Sequence, residues 1–392
     1  LCRTPYLKKA LLMTIDHRAL PYVRAISPYV PGKPITELAR EYGLASEHIV
    51  KLASNENPRG MSPQARQAVS SALAENSGNG VERYPDQFAL IQALSEHHQV
   101  DTRCIVLGNG SNDVLDLAAR VFLSPGRSSV FSAHAFAVYP LATMATGAQC
   151  IVAPAREYGH DLRAMRAAIQ PETALVWIAN PNNPTGTLLS AEALYAFIAQ
   201  IPPGVVVVLD EAYNDYLPST QRIDTTLWLH EFPHLIITRT FSKIYGLAGL
   251  RVGYALASAQ IAELMNRVRQ PFNVSNLALS AAVAALGDEA FVSQSRALND
   301  RGMAQITGGL RALGLRWIPS AANFVSVEIP HAHIIHEALL RQGVIVRPLT
   351  GYQMPNHLRV TIGLEHENAR FLDTLNAALS SPTAAPTITP KT

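Results

Sequence analysis

Cysteine is nearly absent. Cys2, Cys104 and Cys150 are the only three in 392 residues, and no two form a CxxC pair. An odd, scattered set excludes a disulfide framework and gives no zinc-finger spacing; it points to a reducing compartment, the cytoplasm. Charge is also sparse. Charged residues make up 16%, with 32 basic against 30 acidic and a formal net charge of +2. No Lys/Arg stripe accompanies it, so neither nucleic acid nor an anionic membrane is an expected partner. Long apolar runs are missing as well: the longest, 279–286 and 205–209, fall far below the roughly 18 residues of a spanning helix. There is no GxxxxGK[ST] and no GxGxxG, which removes the two commonest nucleotide-binding fingerprints.

What is present is a core. Hydrophobic residues reach 48%, and the length suits one large domain and one smaller one. Short β-branched runs at 104–107, 129–132, 150–153, 174–179, 205–210, 235–240 and 252–257 alternate with helical stretches at 112–122, 162–169 and 191–201. Unbroken runs such as Val205-Val206-Val207-Val208-Leu209 imply burial on both faces of a mostly parallel sheet covered by helices, an α/β domain over 60–285. A long helical region at 277–313 has a break at Gly287-Asp288. Strands at 324–329, 344–347 and 358–362 and helices at 331–342 and 365–379 then form a smaller α+β domain over 286–380. Residues 21–59 read as an arm plus part of that smaller domain. Residues 1–20 read as a flexible extension: the patch before Met13 is too short for a signal-peptide core, and an amphipathic transit peptide is the alternative. The Ser/Thr/Pro/Ala-rich stretch 381–392 reads as a disordered tail.

In open α/β sheets, ligands sit beyond the carboxyl ends of the strands. Four such ends carry chemistry. After Leu107 comes Gly108-Asn109-Gly110-Ser111-Asn112-Asp113, a glycine-flanked helix start with free N–H groups for an anion; an ordinary capped turn is the alternative. After Ala179 comes Asn180-Pro181-Asn182-Asn183-Pro184-Thr185-Gly186, a rigid turn that can aim the Asn183 amide. After Leu209 comes Asp210-Glu211-Ala212-Tyr213. An acid directly after an apolar strand needs a cation, from Arg, Lys, a metal or a protonated heterocycle. After Thr240 comes Phe241-Ser242-Lys243, with Arg251 eight residues beyond the lysine. Thr240, Ser242 and Arg251 suit a phosphate. A desolvated Lys243 suits Schiff-base chemistry with an aldehyde. Pyridoxal 5′-phosphate offers the complementary group to each of these.

In their order and spacing these segments resemble the fold-type I pyridoxal-phosphate aminotransferases. More narrowly, Ser27-Pro28-Tyr29-Val30-Pro31-Gly32-Lys33-Pro34, Leu52-Ala53-Ser54-Asn55-Glu56-Asn57-Pro58, Arg83-Tyr84-Pro85-Asp86 and Leu247-Ala248-Gly249-Leu250-Arg251-Val252-Gly253-Tyr254 resemble the histidinol-phosphate aminotransferase family. The resemblance covers roughly 20–380. It implies a large PLP-binding domain and a smaller one, and transamination between L-histidinol phosphate and 2-oxoglutarate in histidine biosynthesis. Lys243 would be joined to the cofactor and move the proton. Asp210 would pair with the ring nitrogen, Tyr213 and Asn183 with the ring oxygen, and Phe136 would stack on the ring. Ser111, Asn112, Thr240, Ser242 and Arg251 would take the cofactor phosphate. Tyr84 would reach the phosphate of a neighbouring subunit, implying a homodimer with shared sites. Tyr29, Asn55, Asn183, Arg347 and Arg359 would contact substrate, Arg359 and Arg347 by clamping phosphate or carboxylate. The departures are Phe136, where many relatives carry Tyr, and the Ser111-Asn112-Asp113 loop. An aromatic amino-acid aminotransferase and a threonine-phosphate decarboxylase-type lyase are the alternatives on the same scaffold.

No metal is expected. His97 and His98 read as surface residues, and His331, His333 and His336 as a solvent-facing helix start. Trp177 and Trp317 read as core.

Overall fold

The alternation of side chains along a strand decides where an unbroken apolar run can live. Val206 and Val208 pack into one cluster, with Trp177 and Ile236, while Val207 and Leu209 pack into another on the opposite face, with Ile178 and Ile237. Both faces of this strand are covered, so neither set of side chains meets water. The computed structural model describes residues 18–29, 31–74 and 80–380. The reading of 1–20 as an extension lies outside the described residues over 1–17, as does that of 381–392 as a tail.

In chain order the strands are β1 (Val50–Lys51), β2 (Ile105–Gly108), β3 (Ser128–Ser132), β4 (Gln149–Ala153), β5 (Ala155–Arg156), β6 (Gly159–His160), β7 (Thr173–Ala179), β8 (Val206–Asp210), β9 (Leu235–Thr240), β10 (Gly253–Ala257), β11 (Arg316–Ile318), β12 (Phe324–Glu328), β13 (Val344–Ile345), β14 (Arg347–Pro348) and β15 (His357–Thr361). Seven of them form one sheet in the order β2-β10-β9-β8-β7-β3-β4. The β9–β8, β8–β7, β7–β3 and β3–β4 pairs are parallel. β10 runs antiparallel to both its neighbours. The class is α/β, and every run expected to be a strand in this region is found within a residue or two of its expected ends.

A second sheet, β11-β12-β15-β14, is antiparallel throughout. Ile306, Leu310, Val325, Val327, Leu358, Val360, Phe371 and Leu375 fill its core. The run expected as one strand at 344–347 is two. β13 pairs in parallel with β1, and β14 moves across to β15 as an edge strand. Pro348 explains the edge position, because it has no N–H to give to a further strand. The expected helix break is present. Asn276–Leu286 ends, and Asp288 accepts from the Phe291 N–H at 3.1 Å to start Glu289–Ala312, a side-chain N-cap.

Two readings are corrected. His98 is not a surface residue. It shares one face of the helix Phe88–His98 with Leu90 and Leu94, all three buried at i, i+4 and i+8. Its Nε2 meets the Tyr254 hydroxyl at 2.8 Å. Trp317, expected in the core, is half-buried beneath the Arg311 guanidinium, which lies 5.6 Å from its ring; Trp177 is wholly buried. His331 and His333 are exposed, and His336 is half-buried.

Candidate active site

The carboxyl ends of β2, β7, β8 and β9 open on one cavity of about 320 Å³. Each wall follows from local backbone chemistry.

Gly110 has φ of +76° and is the N-cap of the helix Ser111–Phe122, which has no side-chain cap. The first N–H groups, at Ser111 and Asn112, therefore stay open toward the cavity they line. The positive φ favours glycine at 110, and a Cβ there would also push the Arg251 guanidinium out of its place. Arg251 Nη1 donates to Ser242 Oγ at 3.3 Å and to the Ala248 carbonyl at 3.0 Å. Thr240 Oγ1 accepts from the Ser242 N–H at 3.1 Å. A helix N-terminus, two hydroxyls and a guanidinium thus converge, a combination that suits a phosphate.

Asp210 ends β8 and is 4% exposed. Its Oδ2 accepts from the Tyr139 hydroxyl at 2.9 Å and its Oδ1 from Thr238 Oγ1 at 3.1 Å. Burial pushes its pKa up, and the two hydroxyls pull it back. Both hydroxyl partners are neutral, and among the described residues no cation is bonded to this carboxylate, with Lys243 acting on it only as a neighbouring charge. Tyr213 is buried beside it, and its hydroxyl accepts from Asn55 Nδ2 at 2.8 Å. Burial moves the Tyr213 phenol up to about 12. Asn55 is itself held with φ of +56° by Thr361 Oγ1, which accepts from its N–H at 2.9 Å.

Lys243 follows β9. Its Nζ donates to the Ser54 carbonyl at 3.3 Å and stands 5.7 Å from the Tyr213 ring centre. Burial lowers its pKa to about 8, with Arg359 and Arg251 adding to the effect. This is an amine with a substantial neutral fraction at physiological pH.

Arg359 comes from β15 and is 6% exposed. Its Nη1 donates to Asn183 Oδ1 at 2.5 Å and its Nη2 to the Ala53 carbonyl at 2.9 Å. Its Nε is buried without a partner among the described residues. Asn183 Nδ2 remains for a ligand oxygen. Arg347 lies 5.4 Å from the ring of Tyr29, which is half exposed at the cavity mouth. Phe136 completes the lining.

Every residue expected at the site lines this cavity except Tyr84. Tyr84 is 80% exposed and stacked on Phe272 at 4.5 Å. Three contributors escaped the sequence reading: Tyr139, Thr238 and Tyr352. The first two lie beneath Asp210, where only a fold places them. Tyr352 comes from the loop between β14 and β15.

The residues fit pyridoxal 5′-phosphate. A buried carboxylate with no cation bonded to it matches a protonated ring nitrogen, the open N–H groups with Arg251 match a phosphate, and Lys243 matches an aldehyde. The same constellation defines a class of protein: over residues 47–375 the chain matches the family described as "Aminotransferase class I and II". Histidinol-phosphate aminotransferase 1 of Dechloromonas aromatica is 63% identical over 367 residues, covering 94% of this chain and 100% of that protein. Histidinol-phosphate aminotransferase 2 of Pseudomonas aeruginosa is 56% identical, covering 92% and 98%. Histidinol-phosphate aminotransferase of Sinorhizobium meliloti, solved in complex with pyridoxal-5′-phosphate, superposes with a TM-score of 0.83 at 27% identity, covering 92% of this chain and 97% of that one. The chain belongs to this family, among its histidinol-phosphate aminotransferases. Its cofactor is pyridoxal 5′-phosphate. Among the described residues, no helix is long and apolar enough to cross a membrane, and no cluster of His, Cys, Asp or Glu is placed to hold a metal.

Proposed function

We propose that the chain moves the amino group of L-histidinol phosphate to 2-oxoglutarate, giving imidazole acetol phosphate and L-glutamate, as a cytoplasmic homodimer serving histidine biosynthesis. The observation that carries this reading is the presence of Arg347 and Arg359 in one cavity with Lys243 and Asp210. Two arginines suit a substrate anion that is a phosphate in one half-reaction and a carboxylate in the other.

When bound, the cofactor supplies an aldehyde for the amine and a protonated ring that takes up the electron pair left by proton removal. The chain supplies the rest. Asp210, itself fixed by Tyr139 and Thr238, would hold the ring nitrogen protonated. Tyr213 and Asn183 would meet the ring oxygen, and Phe136 would stack on the ring. Ser111, Asn112, Thr240, Ser242 and Arg251 hold the cofactor phosphate. Lys243 Nζ would hold the aldehyde carbon until the substrate amine takes its place and, once released, would carry the proton from the substrate carbon to the carbon that bore the aldehyde. Arg359, with Arg347, Asn55 and Tyr29, fixes the substrate so that this proton faces Nζ. Tyr84, exposed and away from its own cavity, would serve the site of the second subunit.

The test is glutamate formation from 2-oxoglutarate with histidinol phosphate, phenylalanine or threonine phosphate as donor. Histidinol phosphate should be preferred by a wide margin. Carbon dioxide release from threonine phosphate without glutamate would point to a lyase instead, and a preference for phenylalanine to an aromatic aminotransferase.

A further inference from the structure

The cavity contains three phenols, from Tyr29, Tyr213 and Tyr352. Their situations differ. The Tyr213 hydroxyl is already taken by Asn55. Tyr29 is 49% exposed at the mouth. Tyr352 is 8% exposed, yet its hydroxyl has no hydrogen-bond partner among the described residues. A phenol on a cavity wall with no protein partner keeps its O–H free to donate to a ligand oxygen.

Its position is fixed from both sides. Its ring belongs to a small apolar cluster with Ile318, Leu349 and Met354. His134 Nδ1 donates to its carbonyl at 2.7 Å, and Asn182 Nδ2 donates to the His134 carbonyl at 3.2 Å. That chain of bonds runs from the turn after β7 to the loop between β14 and β15. It also sets Tyr352 against the segment that carries Phe136, the ring-covering residue, which has no hydroxyl. Burial pushes the Tyr352 phenol up, and Arg359 and Arg347 pull it back, so both clamp arginines are its electrostatic neighbours.

We propose that Tyr352 is a specificity-determining residue whose hydroxyl donates to the phosphate monoester of the amine substrate. A phosphate has three terminal oxygens to satisfy, and a carboxylate has two. Arg359 spends one N–H of Nη1 on Asn183 and one of Nη2 on Ala53, and its buried Nε–H has no partner among the described residues. A third donor beside the two arginines therefore favours phosphate over carboxylate, by the margin of one hydrogen bond to a charged group. The inference rests on the proposed use of a phosphorylated amine.

The experiment compares wild-type holoenzyme with Tyr352→Phe, which keeps the buried ring and the backbone carbonyl. The two half-reactions are followed separately. KM for histidinol phosphate should rise about tenfold or more, with kcat within about twofold and KM for 2-oxoglutarate within about threefold. Inhibition by inorganic phosphate should weaken by a factor similar to the first. An unchanged KM for histidinol phosphate, equal rises for both substrates, or a loss confined to kcat would each overturn the proposal. Should the wild type not use histidinol phosphate, the functional reading fails by itself. Inorganic phosphate, titrated against whichever amine is used, then still decides the role of Tyr352: weaker inhibition of the variant supports it, and equal inhibition overturns it.

Discussion

The Tyr139 hydroxyl donates to Asp210 Oδ2 at 2.9 Å while the Tyr139 ring lies flat on Trp177, 5.1 Å between centres and 5° between planes. The stack locks the phenol, so the carboxylate is aimed by a side chain that cannot turn away. Asp210→Ala should lower kcat by several powers of ten, each factor of ten corresponding to about 1.4 kcal/mol. Tyr139→Phe keeps the stack and removes one donor to a charged group, and should cost about tenfold. Steady-state kinetics with both variants checks the order; equal losses would mean that Tyr139 does more than hold the acid.

Lys243 is the amine on which the assignment turns. Lys243→Ala should abolish transamination, because anchor and proton carrier leave together. The depressed pKa adds a pH dependence. An amine reacts with an aldehyde in its neutral form, and that fraction grows as pH rises. Cofactor uptake by the apoenzyme should therefore accelerate with pH and level off above about 8, the value that burial imposes, and not above 10 as for an exposed lysine. Stopped-flow absorbance of apoenzyme mixed with pyridoxal phosphate would show it.

The strand ends were readable because an apolar run buried on both faces leaves a local mark, and chemistry gathers where such a run stops. Asp210 after Val206-Val207-Val208-Leu209 is the plainest case. β1 left no such mark. Two residues, Val50 and Lys51, gain their partners from 344–345, and nothing local distinguishes them from a loop. Tyr139 and Tyr352 were missed for a related reason. Each looks like one more aromatic until the fold sets it beside Asp210 or into one cavity with Arg347 and Arg359. His98 is hidden for a different reason: Leu90, Leu94 and His98 carry the helical period, and the polarity of the third member masks it.

Arg359 holds its place through two bonds, to Asn183 and to the Ala53 carbonyl, while its buried Nε has no partner among the described residues. Lysine has one charged head and no planar fork, so Arg359→Lys cannot satisfy both anchors and still meet an anion. Both half-reactions should suffer, each by about tenfold or more in kcat/KM. Normal kinetics in either one would move the clamp to another residue, with Arg347 the next to test.

Tyr84 gives the homodimer a stringent test. If each tyrosine serves the opposite site, Tyr84→Ala and Lys243→Ala are both inactive alone but complement one another when subunits exchange. The mixed dimer carries one complete site, built from the Lys243 of the first variant and the Tyr84 of the second. Statistical mixing of equal amounts should restore roughly a quarter of wild-type activity. Refolding the two variants together and assaying the mixture measures this. No recovery, with dimers present by light scattering, would return Tyr84 to a merely structural role.

His98 carries a stability prediction. It is buried, its Nε2 meets the Tyr254 hydroxyl at 2.8 Å, and its Nδ1 faces Arg239 Nη1 at 3.4 Å. Arg239 is in turn paired with Glu211 at 2.8 Å. Burial, with the Arg239 charge, lowers the His98 pKa to about 2. The unfolded chain takes up a proton near the ordinary value of about 6.5, and the folded chain does not until about 2. Stability from this group is therefore full above pH of about 6.5 and falls as pH drops, by up to about 1.4 kcal/mol per unit. His98→Gln should be less stable than wild type at neutral pH, because the bond to Tyr254 is weakened. It should then lose about 1.5 kcal/mol less than wild type between pH of about 6.5 and 5. Urea unfolding at the two pH values, followed by tryptophan fluorescence, separates the effects. Parallel losses in the two proteins would mean that His98 takes up its proton without unfolding the helix that buries it.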